Sequence, residues 1–113
     1  MTPAYLLVLA TVTDRAKMAD YGRRLAELQL YARHGGFYRF IGPAAADLEN
    51  WTGHSVVCAE FPSRESAEAF WHSEDYQQLV KPIRAGAGTF HVALFDGAPP
   101  MPGQAPRPKS TEA

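Results

Sequence analysis

The 113-residue chain is predicted to fold as one α+β domain of the ferredoxin-like type, β-α-β-β-α-β, with an antiparallel sheet carrying both helices on one face. Three observations predict this. Short strand-like apolar runs and longer stripes of three- and four-residue spacing follow one another in the order strand, helix, strand, strand, helix, strand. The first and last strands are apolar on both faces, more than helices on one side can cover. From Ala98 onward proline replaces apolar residues, so the folded domain is expected over 1–97 and a disordered Pro-rich tail over 98–113.

Ala4 to Val12 is a nearly continuous run of apolar and β-branched residues and reads as the first strand. Asp14 is placed to cap the helix that follows, its carboxylate accepting from free N–H groups of the first turn. Met18, Tyr21, Leu25, Leu28 and Ala32 form one stripe, so a single helix is expected over about 15–33. Gly35-Gly36 ends it, because glycine adopts the left-handed conformation without strain. Phe37 to Ile41 is the second strand. Ala44 to Asn50 is expected to form a short, irregular hairpin arm, Trp51-Thr52-Gly53 a turn and His54 to Phe61 the third strand. Ser63 caps the second helix, whose inner side is Ala67, Phe70 and Trp71, and Glu65 suits the positive end of its dipole. Ser73 caps a further segment, Glu74 to about Lys81, with Tyr76, Leu79, Val80 and Ile83 turned inward. Pro82 cannot donate a helical hydrogen bond and stops that segment. Thr89 to Phe95 is the last strand.

Hydrophobic residues make up 46% of the chain and charged residues 20%, the balance of an ordinary globular protein. The net charge of −1 and the lack of a basic cluster argue against nucleic acid as a partner. Cys58 is the single cysteine, so an internal disulfide is excluded; within Val56-Val57-Cys58-Ala59 it reads as a small buried hydrophobe. The apolar stretch Tyr5 to Ala10 is too short to span a membrane and lacks the flanks of a signal peptide, so a cytoplasmic protein without a membrane partner is expected. The second apolar face of the sheet would be an exposed patch on a monomer. A second copy packed sheet to sheet covers it, so a homodimer is expected.

The chain resembles the bacterial family known as domain of unknown function 1330, within the dimeric α/β-barrel superfamily. The resemblance rests on Ala4-Tyr5, Tyr21, His34-Gly35-Gly36 with Tyr38, Glu60-Phe61-Pro62-Ser63, Ala67, Phe70-Trp71, Ser73, Tyr76, Arg84 and Gly97. It implies the ferredoxin-like fold and a dimer whose two sheets pack into a barrel. Related folds hold small molecules between sheet and helices. The chain departs from the family pattern at Glu49-Asn50-Trp51, at His54 and at Pro82.

Three residues are candidates for catalysis. His34, at the end of the first helix, is either a general acid or base or a terminator that meets the last carbonyls. Tyr21, on the buried stripe, either bonds the sheet or orients a substrate carbonyl. Glu60, between Ala59 and Phe61, is either a substrate-facing carboxylate or the partner of Arg84. These three are expected to converge on one cleft between the first helix and the sheet. Tyr38, Trp51, Trp71, Tyr76 and Arg84 are the candidate ligand-binding residues, the two tryptophans either walling an aromatic pocket or packing in the core. His34, His54 and His91 show no close ligand spacing, and no nucleotide-binding or serine-hydrolase motif occurs, so neither metal nor cofactor is expected. The expected function is a pocket for a small organic molecule. It would serve a cofactor-independent enzyme for proton transfer, isomerisation or lactone opening. The alternatives are a non-catalytic metabolite-binding dimer and a cofactor-binding oxygenase.

Overall fold

The structure, a computed structural model, describes residues 2–106. Four strands, β1 (Ala4–Val12), β2 (Phe37–Pro43), β3 (Ser55–Phe61) and β4 (Gly88–Asp96), form one antiparallel sheet in the order β2-β3-β1-β4. The first strand is interior to the sheet and hydrogen-bonded along both edges, to β3 and to β4. Leu6 lies opposite Ala59 on one side and Leu94 on the other.

Helix α1 (Arg15–Glu27) starts where expected, with Asp14 Oδ1 accepting from the Lys17 N–H at 3.1 Å. The single long helix is a misreading. The chain breaks at Leu28-Gln29, where Gln29 takes φ +51°, and resumes as α2 (Leu30–Arg33). The break rotates the face. Leu30 is fully buried and Tyr31 packs on the core, while Ala32, predicted on the stripe, is exposed. Gly35 terminates α2 at φ +75°. Gly36 is glycine because the Phe61 ring occupies the place of a side chain, leaving no room there for a ligand to approach the backbone.

Residues 44–54 contain no strand, so the hairpin arm is absent and His54 falls just outside β3. Helix α3 (Arg64–His72) is capped by Ser63, whose Oγ accepts from the Ser66 N–H at 3.1 Å. Ser73 Oγ likewise accepts from the Tyr76 N–H at 3.1 Å. The next segment is not an ordinary helix. Asp75–Val80 is a π-helix, followed by a 3₁₀ turn, Lys81–Arg84, that contains Pro82. The wider turn brings both Tyr76 and Val80 fully inside and leaves Leu79, expected to face inward, exposed.

The core lies between the helices and one face of the sheet: Ala4, Leu6, Ala59 and Phe61 from the strands, and Leu25, Leu30, Ala67, Phe70, Tyr76 and Val80 from the helical layer. The other face carries no helix. Phe37, Phe40 and Phe95 stand about half exposed on it, beside the half-buried Tyr5, Leu7 and Leu9. Cys58 is buried on this face, and burial raises its thiol pKa, as suits a packing residue better than a nucleophile. Residues 98–106 form neither helix nor strand and are exposed; 107–113 of the expected tail lie outside the described residues. No helix of the described residues is long and apolar enough to cross a membrane.

Candidate functional site

A cleft of about 170 Å³ opens between α1, the π-helix and the sheet. The sheet supplies Val8, Ala10, Val57 and Phe90 as its floor, and β2 supplies Tyr38 and Ile41. These two residues share the inner face because a bulge between Tyr38 and Phe40 resets the alternation of β2. Helix α1 contributes Met18, Tyr21, Gly22 and Leu25; Tyr31, Tyr76 and Arg84 complete the wall.

The polar groups of this apolar cleft are four phenols and one guanidinium. The Tyr21 and Tyr76 hydroxyls bond each other at 2.8 Å, with the two rings edge to face. In such a pair one hydroxyl donates, and the accepting one keeps its own proton for another partner. The Tyr31 ring stacks on Phe70 at 4.7 Å and meets the Tyr38 ring edge-on at 4.9 Å. Burial, reinforced by Tyr76, pushes the Tyr21 phenol far above its ordinary pKa. Burial does the same to Tyr31, with Tyr38 and then Tyr76 adding to it. For Tyr38 burial also raises the pKa, against a hydrogen bond to Tyr31 that lowers it. These three phenols therefore stay protonated at neutral pH and act as donors, not bases.

Arg84 is 9% exposed. Its guanidinium carbon lies 4.2 Å from the centre of the Phe90 ring and 5.8 Å from that of Tyr21. No hydrogen bond or ion pair holds it among the described residues, and its buried Nε is unpaired. Arg84 also borders a wider groove of about 620 Å³ outside the cleft, where Trp71 and Lys81 stand, the Lys81 ammonium 5.1 Å over the Trp71 ring.

Of the predicted site residues, Tyr21, Tyr38, Tyr76 and Arg84 are brought together in this cleft. Trp71 lies next door, packed on Tyr76 at 5.2 Å and lining the outer groove. The expected convergence of His34 and Glu60 with Tyr21 is not found. His34 Nδ1 lies 2.9 Å from the Leu30 carbonyl and its ring meets the edge of Phe70, an arrangement that terminates the helix. Glu60 is on the opposite face of the sheet from Ala59 and Phe61, level with Tyr5 and Phe37. Its partner is Arg39 at 3.6 Å rather than Arg84. Strand alternation forces this, since two core neighbours send the residue between them outward. Trp51 sits at a distant pocket with His54, its Nε1 donating to the His54 carbonyl at 3.2 Å. Sequence reasoning missed Tyr31, because a continuous helix puts it off the stripe. The Leu28-Gln29-Leu30 run, which adds apolar residues out of phase, is the signal that α1 breaks there.

No curated protein matches the chain in sequence. Among solved structures, similar folds include RPA0582, a protein of unknown function from Rhodopseudomonas palustris (TM-score 0.64, 19% identity, covering 88% of this chain and 85% of that one). SnoaB, a cofactor-independent oxygenase from Streptomyces nogalater, is similar at TM-score 0.62 and 15% identity, over 90% of this chain and 99% of its own. A dimeric ferredoxin-like protein of unknown function from Thermobifida fusca is similar at TM-score 0.61 and 14% identity, over 83% and 90%. At these identities the likeness is one of fold, and it agrees with the ferredoxin-like topology built above. The profile of one family, domain of unknown function (DUF1330), matches residues 3–98, and the chain therefore belongs to that family.

Proposed function

We propose that the protein works as a cytoplasmic homodimer in which each subunit binds one small, planar organic molecule in the tyrosine-lined cleft. The observation that carries this reading is the cleft itself, an apolar space of about 170 Å³ with phenolic donors at its wall. Apolar walls with a few placed polar groups are the usual make-up of a small-molecule site. The volume suits one ring, since an apolar cavity of about 150 Å³ accepts benzene. Tyr21, Tyr38 and Tyr76 would orient polar atoms of the ligand. The half-exposed Phe37, Phe40 and Phe95 support pairing through the outer face of the sheet.

Catalysis is the second reading, favoured by the description of SnoaB as a cofactor-independent oxygenase. The cleft wall carries no carboxylate or imidazole among the described residues, so its own chemistry is hydrogen-bond donation and stabilisation of a ligand oxyanion. A substrate that loses its proton readily would need only that. Calorimetric titration of the full chain with single-ring aromatic compounds (phenol, benzamide, benzoate) tests the binding reading. One site per subunit is expected, weakened at least several-fold by the paired change Tyr21→Phe with Tyr76→Phe. Absence of heat with all three at millimolar concentration refutes it. Faster exchange of an acidic ligand C–H in heavy water, slowed by Tyr21→Phe, distinguishes turnover from binding.

A further inference from the structure

Arg84 is the one buried cation in the wall of the cleft, and among the described residues it has no anion to face. A guanidinium taken out of water needs either an opposite charge or a full set of acceptors. The faces of Phe90 and Tyr21 offer cation–π attraction, which is weaker than the hydration they replace and gives the buried Nε no acceptor. The carboxylate nearest in expectation, Glu60, is on the other side of the sheet with Arg39. The protein thus keeps a fork of donors in an apolar site with its buried Nε unpaired. A planar fork matches a carboxylate or another pair of coplanar oxygens. The hydroxyl pair of Tyr21 and Tyr76 in the same wall holds one proton not used between the two rings, so a second donor of fixed position accompanies the charge.

We propose that the ligand of the cleft is an anion, a single-ring aromatic carboxylate or an enolate of like shape, whose oxygens take the Arg84 guanidinium and the free proton of the Tyr21–Tyr76 pair. The inference rests on the binding reading above and names the ligand class for that site. The ring of such a ligand fills the apolar floor of Val8, Ala10, Val57 and Phe90, while its charge sits at the Arg84 end, where the outer groove with Lys81 meets the cleft.

The test compares benzoate with benzamide, which has the same shape without the charge, by calorimetry on the full chain and on Arg84→Gln. Benzoate is expected to bind the unaltered protein at least ten-fold more tightly than benzamide, and that preference is expected to vanish in R84Q. Equal affinities in the unaltered protein overturn the anion assignment while leaving the small-molecule reading intact. Failure of both compounds overturns the anion assignment, and the binding reading with it if phenol is silent too. A preference that survives R84Q in a folded protein, checked by its circular dichroism, overturns the role of Arg84. The comparison in the unaltered protein stands even if the variant fails to fold.

Discussion

Replacing Arg84 by methionine is expected to make the ligand-free protein more stable and its ligand binding worse. The magnitude follows from the surroundings of the side chain. The buried Nε without an acceptor costs about 3 kcal/mol, the upper end for an unpaired donor because the group is charged. The Phe90 ring, at 4.2 Å, returns about 2 kcal/mol, and the Tyr21 ring, at 5.8 Å and near the limit of the interaction, about 0.5 kcal/mol. Methionine is of similar length, packs against the same rings and has no donor to satisfy. The balance is a gain of about 0.5–1 kcal/mol, in the direction found when buried ion pairs are replaced by well-packed apolar side chains. Urea denaturation of both proteins at one chain concentration reads it as a shift of the midpoint, and equal concentration matters because a dimer's stability depends on it. Binding of benzoate should fall at least ten-fold in the same variant. A loss of 1 kcal/mol or more on the change to methionine would refute the reasoning, since it would mean that the guanidinium is satisfied within the folded protein and serves its structure. A gain in stability with undiminished binding would separate the charge from the ligand.

Four further outcomes are expected. A double-mutant cycle of Tyr21→Phe and Tyr76→Phe should give a coupling of about 1 kcal/mol by chemical denaturation, the net worth of one neutral hydrogen bond; a coupling near zero would mean that the 2.8 Å contact does not hold in solution. Phe40→Glu puts a charge on the exposed face of the sheet, and sedimentation should show the proposed dimer weakened by about a hundred-fold or more; an unchanged dimer would place the interface elsewhere. His34→Ala should cost between about 0.3 and 1 kcal/mol, the value of a residue that satisfies a helix end, and leave ligand affinity unaltered; lost binding with intact stability would restore His34 to the site. Ending the chain after Ala98 should change stability by less than about 0.5 kcal/mol, because 99–106 are exposed and carry neither helix nor strand; a larger loss would show that the segment packs on the domain or its partner.

The fold was readable because it rests on alternation and capping, which are local. Asp14, Ser63 and Ser73 cap as their chemistry dictates, and the apolar second face of β1 pointed to a sheet in need of a cover. The site was readable where it depends on a stripe: Tyr21 and Tyr76 face inward because their neighbours in the pattern do. Three features escaped, two because tertiary packing overrides local pattern and one because a local signal was misread. The αL residue Gln29 breaks a helix whose propensities favour continuation, and the rotation that follows brings in Tyr31. The π-helix of Asp75–Val80 moves Leu79 outward, and no helical period of 3.6 predicts that. Glu60 was assigned to the cleft because its neighbours Ala59 and Phe61 are apolar, although those two, both buried, fix it by alternation to the opposite face. Alternation was the stronger signal there, and Arg84 was left without the carboxylate assigned to it.

The most direct measurement is the location of bound benzoate by intermolecular nuclear Overhauser effects in the full chain. The cleft is defined by ring protons of Tyr21, Tyr31, Tyr76 and Phe90, and the outer face by those of Phe37, Phe40 and Phe95, so the two surfaces give separate sets of contacts. Contacts from the benzoate ring to Tyr21, Tyr76, Phe90 and the Arg84 side chain are predicted. Contacts confined to Phe37, Phe40 and Phe95, on the face without helices, would contradict the cleft as the functional site.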